Sequence, residues 1–240
     1  ASDVYKRQAV GTDIKRPSLT GIHLEIYSDT VRASACDAFR MAVTEIKCNC
    51  GGKMSVTVPK QSFFYLANAV EDKDLLEFGL NANTLVFIKS DMLFSTRIIS
   101  EPFMNIDRLL NMPDKMLVAK IKANDMKTMA ETVSMITNVS EDTAPVLLKF
   151  KNNNLQLSIE STEAESTLNV PIESVNMISG EFYYNAKYFS DMLKVIRGDV
   201  DVYMTKRGIL YASNPVSEYM LTNSKKRSVK RKSKKTKKAA

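Results

Sequence analysis

The side chains that most often do chemistry are few in this sequence. It holds one histidine, His23, and three cysteines, Cys36, Cys48 and Cys50. Cys48-Asn49-Cys50 looks like half a metal site. Tetrahedral zinc, however, takes four N, S or O ligands, and no second cysteine pair or second histidine supplies them. An odd set of three cysteines is not a disulfide framework, so reduced, structural thiols in a reducing compartment are expected. Carboxylates are plentiful, 27 Asp and Glu in all, but none pair at a spacing that suggests acid–base work. Gly-rich phosphate loops are also lacking. The expectation is a protein that is not an enzyme and needs no metal or cofactor.

Charge is the stronger signal. The formal net charge is +7. Residues 225–240 hold ten Lys or Arg and no acid, so the rest of the chain carries 24 bases against 27 acids. The body is therefore mildly acidic and the tail carries the excess. So little apolar surface cannot offset ordering entropy, and a disordered polycation is expected. It either attracts nucleic acid by counterion release or serves solubility or targeting. No apolar run approaches the ~18 residues of a membrane span, and the start, ASDVYKRQ, does not read as a signal peptide. A cytoplasmic protein with no membrane partner is expected.

The elements that would position any site follow one plan, used twice. Gly21–Ile26 and Val31–Ala35 flank a turn at Ser28-Asp29, and Pro145–Phe150 and Leu155–Ile159 flank a turn at Asn152–Asn154. Both have the period-two alternation of a hairpin. Leu24 and Leu148 lie 124 residues apart. Downstream, Val56–Pro59 leads into a helix over Lys60–Val70, and Phe182–Asn185 into one over Ala186–Ile196, with Phe63 and Phe189 offset by 126. Further strands follow each helix: Leu75–Leu80, Thr84–Lys89 and Leu93–Ile99 in the first copy, Val200–Thr205, Gly208–Ala212 and Tyr219–Thr222 in the second. So long a period means duplicated domains rather than a solenoid. In the second copy a strand (Met116–Ile121) and a helix (Asp125–Asn138, N-capped by Asn124) precede the hairpin; the first copy lacks both. The predicted organisation is a stub at 1–8, domains at 9–112 and 115–223, and a tail at 224–240.

On the second copy's late helix the apolar positions are Tyr188, Phe189, Met192, Leu193 and Ile196, and the opposite stripe is Lys187, Ser190, Lys194 and Arg197. A basic stripe on an acidic body suits a phosphate-lined channel; an ordinary solvated helix face has the same pattern. Lys60, Lys122 and Lys127 are placed similarly but more weakly.

Three stretches carry a resemblance. Arg16-Pro17-Ser18-Leu19-Thr20-Gly21-Ile22-His23-Leu24-Glu25 is followed by Ala35-Cys36-Asp37-Ala38-Phe39-Arg40-Met41-Ala42. Pro59-Lys60 opens a helix, with Phe94 to Phe103 and Leu109 further on. Phe182-Tyr183-Tyr184-Asn185-Ala186-Lys187-Tyr188-Phe189-Ser190-Asp191-Met192-Leu193 completes the set. In order and spacing these resemble the bacterial DNA sliding-clamp family, the beta subunit of DNA polymerase III, over residues 9 to about 223. The resemblance implies an α+β DNA-clamp fold of duplicated domains, with antiparallel sheets outside and helices on the inner face. It implies a processivity factor that encircles duplex DNA without reading sequence. Lys15 and Arg16 fall on the family's DNA-touching loop. A pocket that takes short linear motifs from the replicative polymerase and the clamp loader maps onto Leu19, Cys36, Phe39, Arg40, Met41, Leu109, Tyr188, Ile209 and Met220. A full-length member has three domains and closes as a head-to-tail homodimer. The residues here match most of the second domain and all of the third, so this chain is expected to be monomeric.

The chain departs from the family pattern at three places. Ala38 replaces a glycine, Phe103-Met104-Asn105-Ile106 lacks the usual Pro and Tyr, and the usual C-terminal ending gives way to Thr222-Asn223-Ser224 and the lysine tail. A bacterial or phage-encoded protein is expected. The competing reading is a non-enzymatic, basic-tailed nucleic-acid-binding protein that forms no ring.

Overall fold

The computed structural model describes residues 9–13, 15–71, 74–139 and 144–226. The stub at 1–8 and the tail from Arg227 onward, on which two of the expectations fall, lie outside the described residues. The chain divides into unit 1, residues 1–113 with 213–220, and unit 2, residues 114–212 with 221–240.

Unit 1 opens with a 3-10 turn over Pro17–Thr20, then β1 (Gly21–Ile26), β2 (Thr30–Cys36), β3 (Arg40–Lys47) and β4 (Met54–Pro59). Alternation sets the burial: Ile22, Leu24 and Ile26 are buried while Tyr27 and Ser28 turn in solvent. The pairing keeps that phase, with Leu24 opposite Ala33 on one side and Val56 on the other. Slipping it by one residue would drive every apolar side chain to the wrong face. Helix α1 (Lys60–Ala69) follows, then β5 (Glu77–Asn81), β6 (Thr84–Lys89) and β7 (Met92–Arg97), a separate three-stranded antiparallel sheet in the order β5-β6-β7. β5 begins at Glu77, two residues later than expected, and Leu75 is left exposed. A short helix, α2 (Ile106–Leu110), went unread in the sequence; the Asn105 side chain caps it by accepting from the Arg108 N–H.

In unit 2, β8 (Met116–Ile121) leads to α3 (Ala123–Val139). Next come β9 (Val146–Lys151), β10 (Asn154–Glu160), β11 (Glu165–Pro171), the two-residue β12 (Glu173–Ser174) and β13 (Phe182–Tyr184). The unit continues with α4 (Ala186–Val195), β14 (Val200–Met204) and β15 (Leu210–Ser213). Strands β11-β10-β9-β13 form one antiparallel sheet, and β12-β8-β14-β15 lie side by side in another. The β9–β10 turn holds Asn152 at φ 49°, a left-handed conformation that Asn tolerates better than most residues. Met126, Met129, Val133 and Ile136 are buried at helical spacing on α3, the stripe that a core-facing helix requires. Met126 and Met129 line one small void with Leu148 and Leu155 of one sheet, Val200, Val202 and Leu210 of the other, and Phe189, Met192 and Leu193 of α4. At roughly 1.5–3 kcal/mol per buried large apolar side chain, this shared core is what holds the two sheets and two helices together. Residues 213–220, containing most of β16 (Ser217–Leu221), group with unit 1, where the Glu45 N–H donates to the Val216 carbonyl at 3.0 Å.

Two local expectations need correction. Asn124 is not the N-cap of α3, because the helix already includes Ala123. Its first N–H is instead satisfied by a residue far along the chain, Asp199, which accepts from Ala123 at 3.0 Å. Cys48 and Cys50 are not reduced: they are joined as a disulfide across a Cα–Cα distance of 5.7 Å. The chain doubles back between β3 and β4, with Cys48 N–H donating to Asp29 and Cys50 N–H to Ser28, which brings alternate residues within bonding reach. Cys36 remains a free, buried thiol, and burial pushes it up to about 12.

Candidate nucleic-acid interface and peptide-binding residues

Lys187 and Lys194 are exposed on α4, whose apolar side is buried at Phe189, Met192 and Leu193. Asn185 fixes the start of that helix by accepting from the Tyr188 N–H at 3.1 Å. The stripe read from the sequence is shorter in the structure. Ser190 is 2% exposed, so it belongs to the packed side. The helix ends at Val195 and Ile196 is extended, so Arg197, though exposed, lies beyond the helix. The Ile196 N–H makes the last helical bond, to the Met192 carbonyl, before Ile196 itself turns extended and Gly198 takes a φ of 85°.

Lys122 is exposed and bonds Asp199 at 2.8 Å, a hydrogen bond that raises the lysine's pKa and lowers the aspartate's. Lys127 is exposed beside Glu131 at 3.9 Å. Both thus face a carboxylate in the folded chain, which weakens their claim on phosphate, although surface pairs of this kind exchange readily with solvent. In unit 1, Lys60 opens α1 and is half-buried, and Lys15 and Arg16 are exposed just before the 3-10 turn. That loop is anchored at both ends: Lys15 N–H donates to Asp13 at 3.0 Å and Ser18 N–H to Glu101 at 2.9 Å.

Six of the expected peptide-contact residues come from the first 113 residues of unit 1. Cys36 and Met41 stand opposite each other in the β2–β3 ladder and are buried, so they back a surface rather than form one. Between them the turn is organised by Asp37, which accepts from Phe39 N–H at 2.7 Å, Arg40 N–H at 2.9 Å and Arg40 Nε at 3.0 Å. This leaves Arg40 8% exposed and Phe39 56% exposed. Leu19 and Leu109 are half-buried. Leu109 sits on α2, which Arg32 ties to β2 and β3 by bonding Asp107 at 2.8 Å and Glu45 at 2.5 Å. Met220 is also in unit 1 and is buried. Tyr188 and Ile209 are half-buried in unit 2. The positioning residues Asp37, Arg32, Asp199 and Glu101 were missed in the sequence. Only the Asp37–Arg40 spacing, an Asx turn, carries a local signal.

The lone histidine is structural. His23 stacks on Phe103 with ring centroids 4.7 Å apart, its Nδ1 lies 3.0 Å from the Thr57 hydroxyl, and burial lowers its pKa.

A duplicated unit of two antiparallel sheets with helices packed on them defines the class: the DNA-clamp fold. Residues 5–105 match the family of the DNA polymerase III beta subunit, central domain. The match begins at Tyr5, inside the stub read as foreign to that family. The chain is 24% identical over 207 residues to the beta sliding clamp of Synechocystis, covering 78% of this chain and 52% of the relative. It is 26% identical over 210 residues to that of Bacillus subtilis, covering 79% and 51%. Among solved structures, a DNA polymerase III beta subunit from Eubacterium rectale superimposes with a TM-score of 0.82 at 18% identity, over 93% of this chain and 62% of that one. The sliding clamp of Bacillus subtilis gives 0.81 at 17% identity, over 94% and 62%. The chain is thus similar to bacterial beta sliding clamps over about four fifths of its length, and it spans about half the length of the curated relatives it matches. Among the described residues no helix is long and apolar enough to cross a membrane.

Proposed function

We propose that this protein acts as part of a sliding clamp, a non-enzymatic processivity factor that encircles duplex DNA and tethers the replicative polymerase and clamp loader through short linear motifs. The whole protein would close as a head-to-tail homodimer in a bacterial cytoplasm, host or phage-infected. The observation that carries this reading is the clamp fold over more than nine-tenths of the chain, with Lys187 and Lys194 exposed on a helix whose other side is core. A protein that moves along DNA needs phosphate contacts and no base contacts, because base contacts fix register. Lys15, Arg16, Lys60, Lys122, Lys127 and Arg197 are the remaining candidates for such contacts. For the peptide, apolar surface with one or two polar fixings is the chemistry required. Leu19, Phe39, Leu109, Tyr188 and Ile209 would supply the apolar part and Arg40 the polar part, with Cys36, Met41 and Met220 behind them.

The experiment is a titration with a fluorescent clamp-binding peptide, alongside a salt titration of duplex binding by the full chain and by a chain ending at Asn223. Peptide binding at about micromolar Kd, roughly −8 kcal/mol, weakened by Leu109→Ala or Tyr188→Ala, supports the clamp reading. Engagement of about half the tail charges gives a salt slope of about −4 to −5 that disappears on truncation. No peptide binding, with all DNA affinity lost on truncation, would leave only a basic-tailed nucleic-acid binder.

A further inference from the structure

We propose that the face of the β11-β10-β9-β13 sheet turned away from the core of unit 2 is a docking surface for the chain's own basic tail, residues 227–240. One row of side chains crosses that face. Tyr183 of β13 stands opposite Leu147 of β9, Leu147 opposite Ser158 of β10, and Ser158 opposite Thr167 of β11. Their neighbours in sequence Val146, Leu148, Leu157 and Ile159 are buried, which puts this row on the other side of the sheet. Two residues along β10 from Ser158, Glu160 stands opposite Glu165 of β11. The row and these carboxylates, with Glu181 beside β13, line an open cleft of about 700 Å³. Three carboxylates thus line it against one lysine of the sheet, Lys149.

Charge and the path of the chain identify the occupant. Like charges opposite one another in a ladder repel, and cations laid between Glu160 and Glu165 offset that repulsion. Residues 227–240 hold eight Lys or Arg and no acid. The chain leading into them already runs onto the cleft. The Ser224 N–H donates to the Tyr183 carbonyl at 2.6 Å. Lys226 places its Nζ 3.7 Å from Glu181 and 5.8 Å from the centre of the Tyr183 ring, within the range of a cation–π contact. Lys226 thus seats the basic run at the β13 end of the row. From there to β11 is three strand spacings, about 15 Å. The fourteen residues 227–240 reach about 46 Å when extended, ample to cross the face to Glu160 and Glu165. Such a polycation is held by many weak, salt-screened pairs. Lysines held there are withheld from phosphate, so, on the reading of the tail as a DNA contact, the cleft and the duplex compete for it.

The probe is trypsin, which cuts after Lys and Arg, applied to the full-length chain. Docking slows cleavage within residues 227–240 at low salt, relative to the same sequence as a free peptide, and about 0.5 M NaCl removes the protection. Glu160→Gln combined with Glu165→Gln speeds tail cleavage about threefold or more at low salt. Glu131→Gln combined with Glu173→Gln removes the same charge elsewhere on unit 2 and leaves the rate unchanged. Carbodiimide coupling in a mixture of isotopically light and heavy chains joins tail lysines to Glu160 or Glu165 within single chains. Tail cleavage indifferent to the Glu160 and Glu165 substitutions, or no slower than in the free peptide, would overturn the assignment. So would cross-links spread evenly over the carboxylates of both units, or cross-links joining light to heavy chains, which would give the cleft to the tail of a second copy. Neither DNA nor a clamp-binding peptide takes part, so this result and the function proposed above fail separately.

Discussion

Among the described residues, the strand β14 of unit 2 has a neighbour on each edge and a helix above it, whereas its counterpart β5 in unit 1 has one neighbour and an exposed inner face. The two copies share hairpins, helix position and strand order, so repeating a pattern is not enough to repeat a core. The difference is the contribution of one strand and one helix. Where they are present, Val133 of α3 is fully buried and Phe189 of α4 is 1% exposed. In unit 1, whose described residues include no such strand and helix, Phe64, Tyr65, Phe78 and Leu80 are at the surface. Apolar surface of that extent marks a binding site or an aggregation hazard.

The comparison can be broken most directly with a charge. Val133→Asp buries an unpaired carboxylate in unit 2 and is expected to cost at least about 3–5 kcal/mol, enough to unfold a unit of ordinary stability. Leu80→Asp in unit 1 is expected to cost less than about 1 kcal/mol, because the site is open to water. Denaturant melts followed by circular dichroism decide between these, and equal losses would show that β5 is part of a closed core.

Truncating the matched helix phenylalanines is the next test. Phe189→Ala is expected to destabilise by about 3–5 kcal/mol. Phe63→Ala is expected to cost less, about 2–3 kcal/mol, since water already reaches the neighbouring positions. Matching midpoint shifts for the two variants would contradict the difference in enclosure.

A smaller effect is expected at the Cys48–Cys50 disulfide, which exists in unit 1 alone among the described residues. It closes a very short loop, so reduction is expected to lower stability by no more than about 2 kcal/mol. Mass spectrometry after alkylation should add no label at these two cysteines in the oxidised chain and two after reduction. Two labels without reductant would remove the disulfide from the description.

The smallest expected effect is in unit 2. Lys149 first, and then the Tyr183 hydroxyl, hold the Glu181 carboxyl at about 2, against an ordinary 4.5. A depressed carboxylate pKa contributes stability that is fully present above about pH 4.5 and is lost as the pH falls toward 2. On an exposed side chain that contribution is slight. An NMR titration of Glu181 should show the low midpoint, moving up in Lys149→Met; an unchanged midpoint in that variant would assign the shift to something other than the lysine.

The sequence by itself determined the hairpins, the repeat and most of the helix positions. Alternation at Ile22-Leu24-Ile26 or Leu155-Leu157-Ile159 depends only on which face of a strand meets water, and a strand records that locally. It also determined the charge division between body and tail. Only the tertiary structure decided the points at which two distant segments meet. Ser190 reads as part of a polar stripe, but α3 packs along α4 and the residue ends 2% exposed. The start of α3 is fixed by Asp199, 76 residues away in the chain. Arg197 leaves the basic stripe because α4 stops at Val195, and the reversal between β3 and β4 brings Cys48 to Cys50. Periodicity reports which side of an element is apolar. It does not report which element arrives to cover that side, and that arrival sets burial, capping and the reach of every candidate site residue.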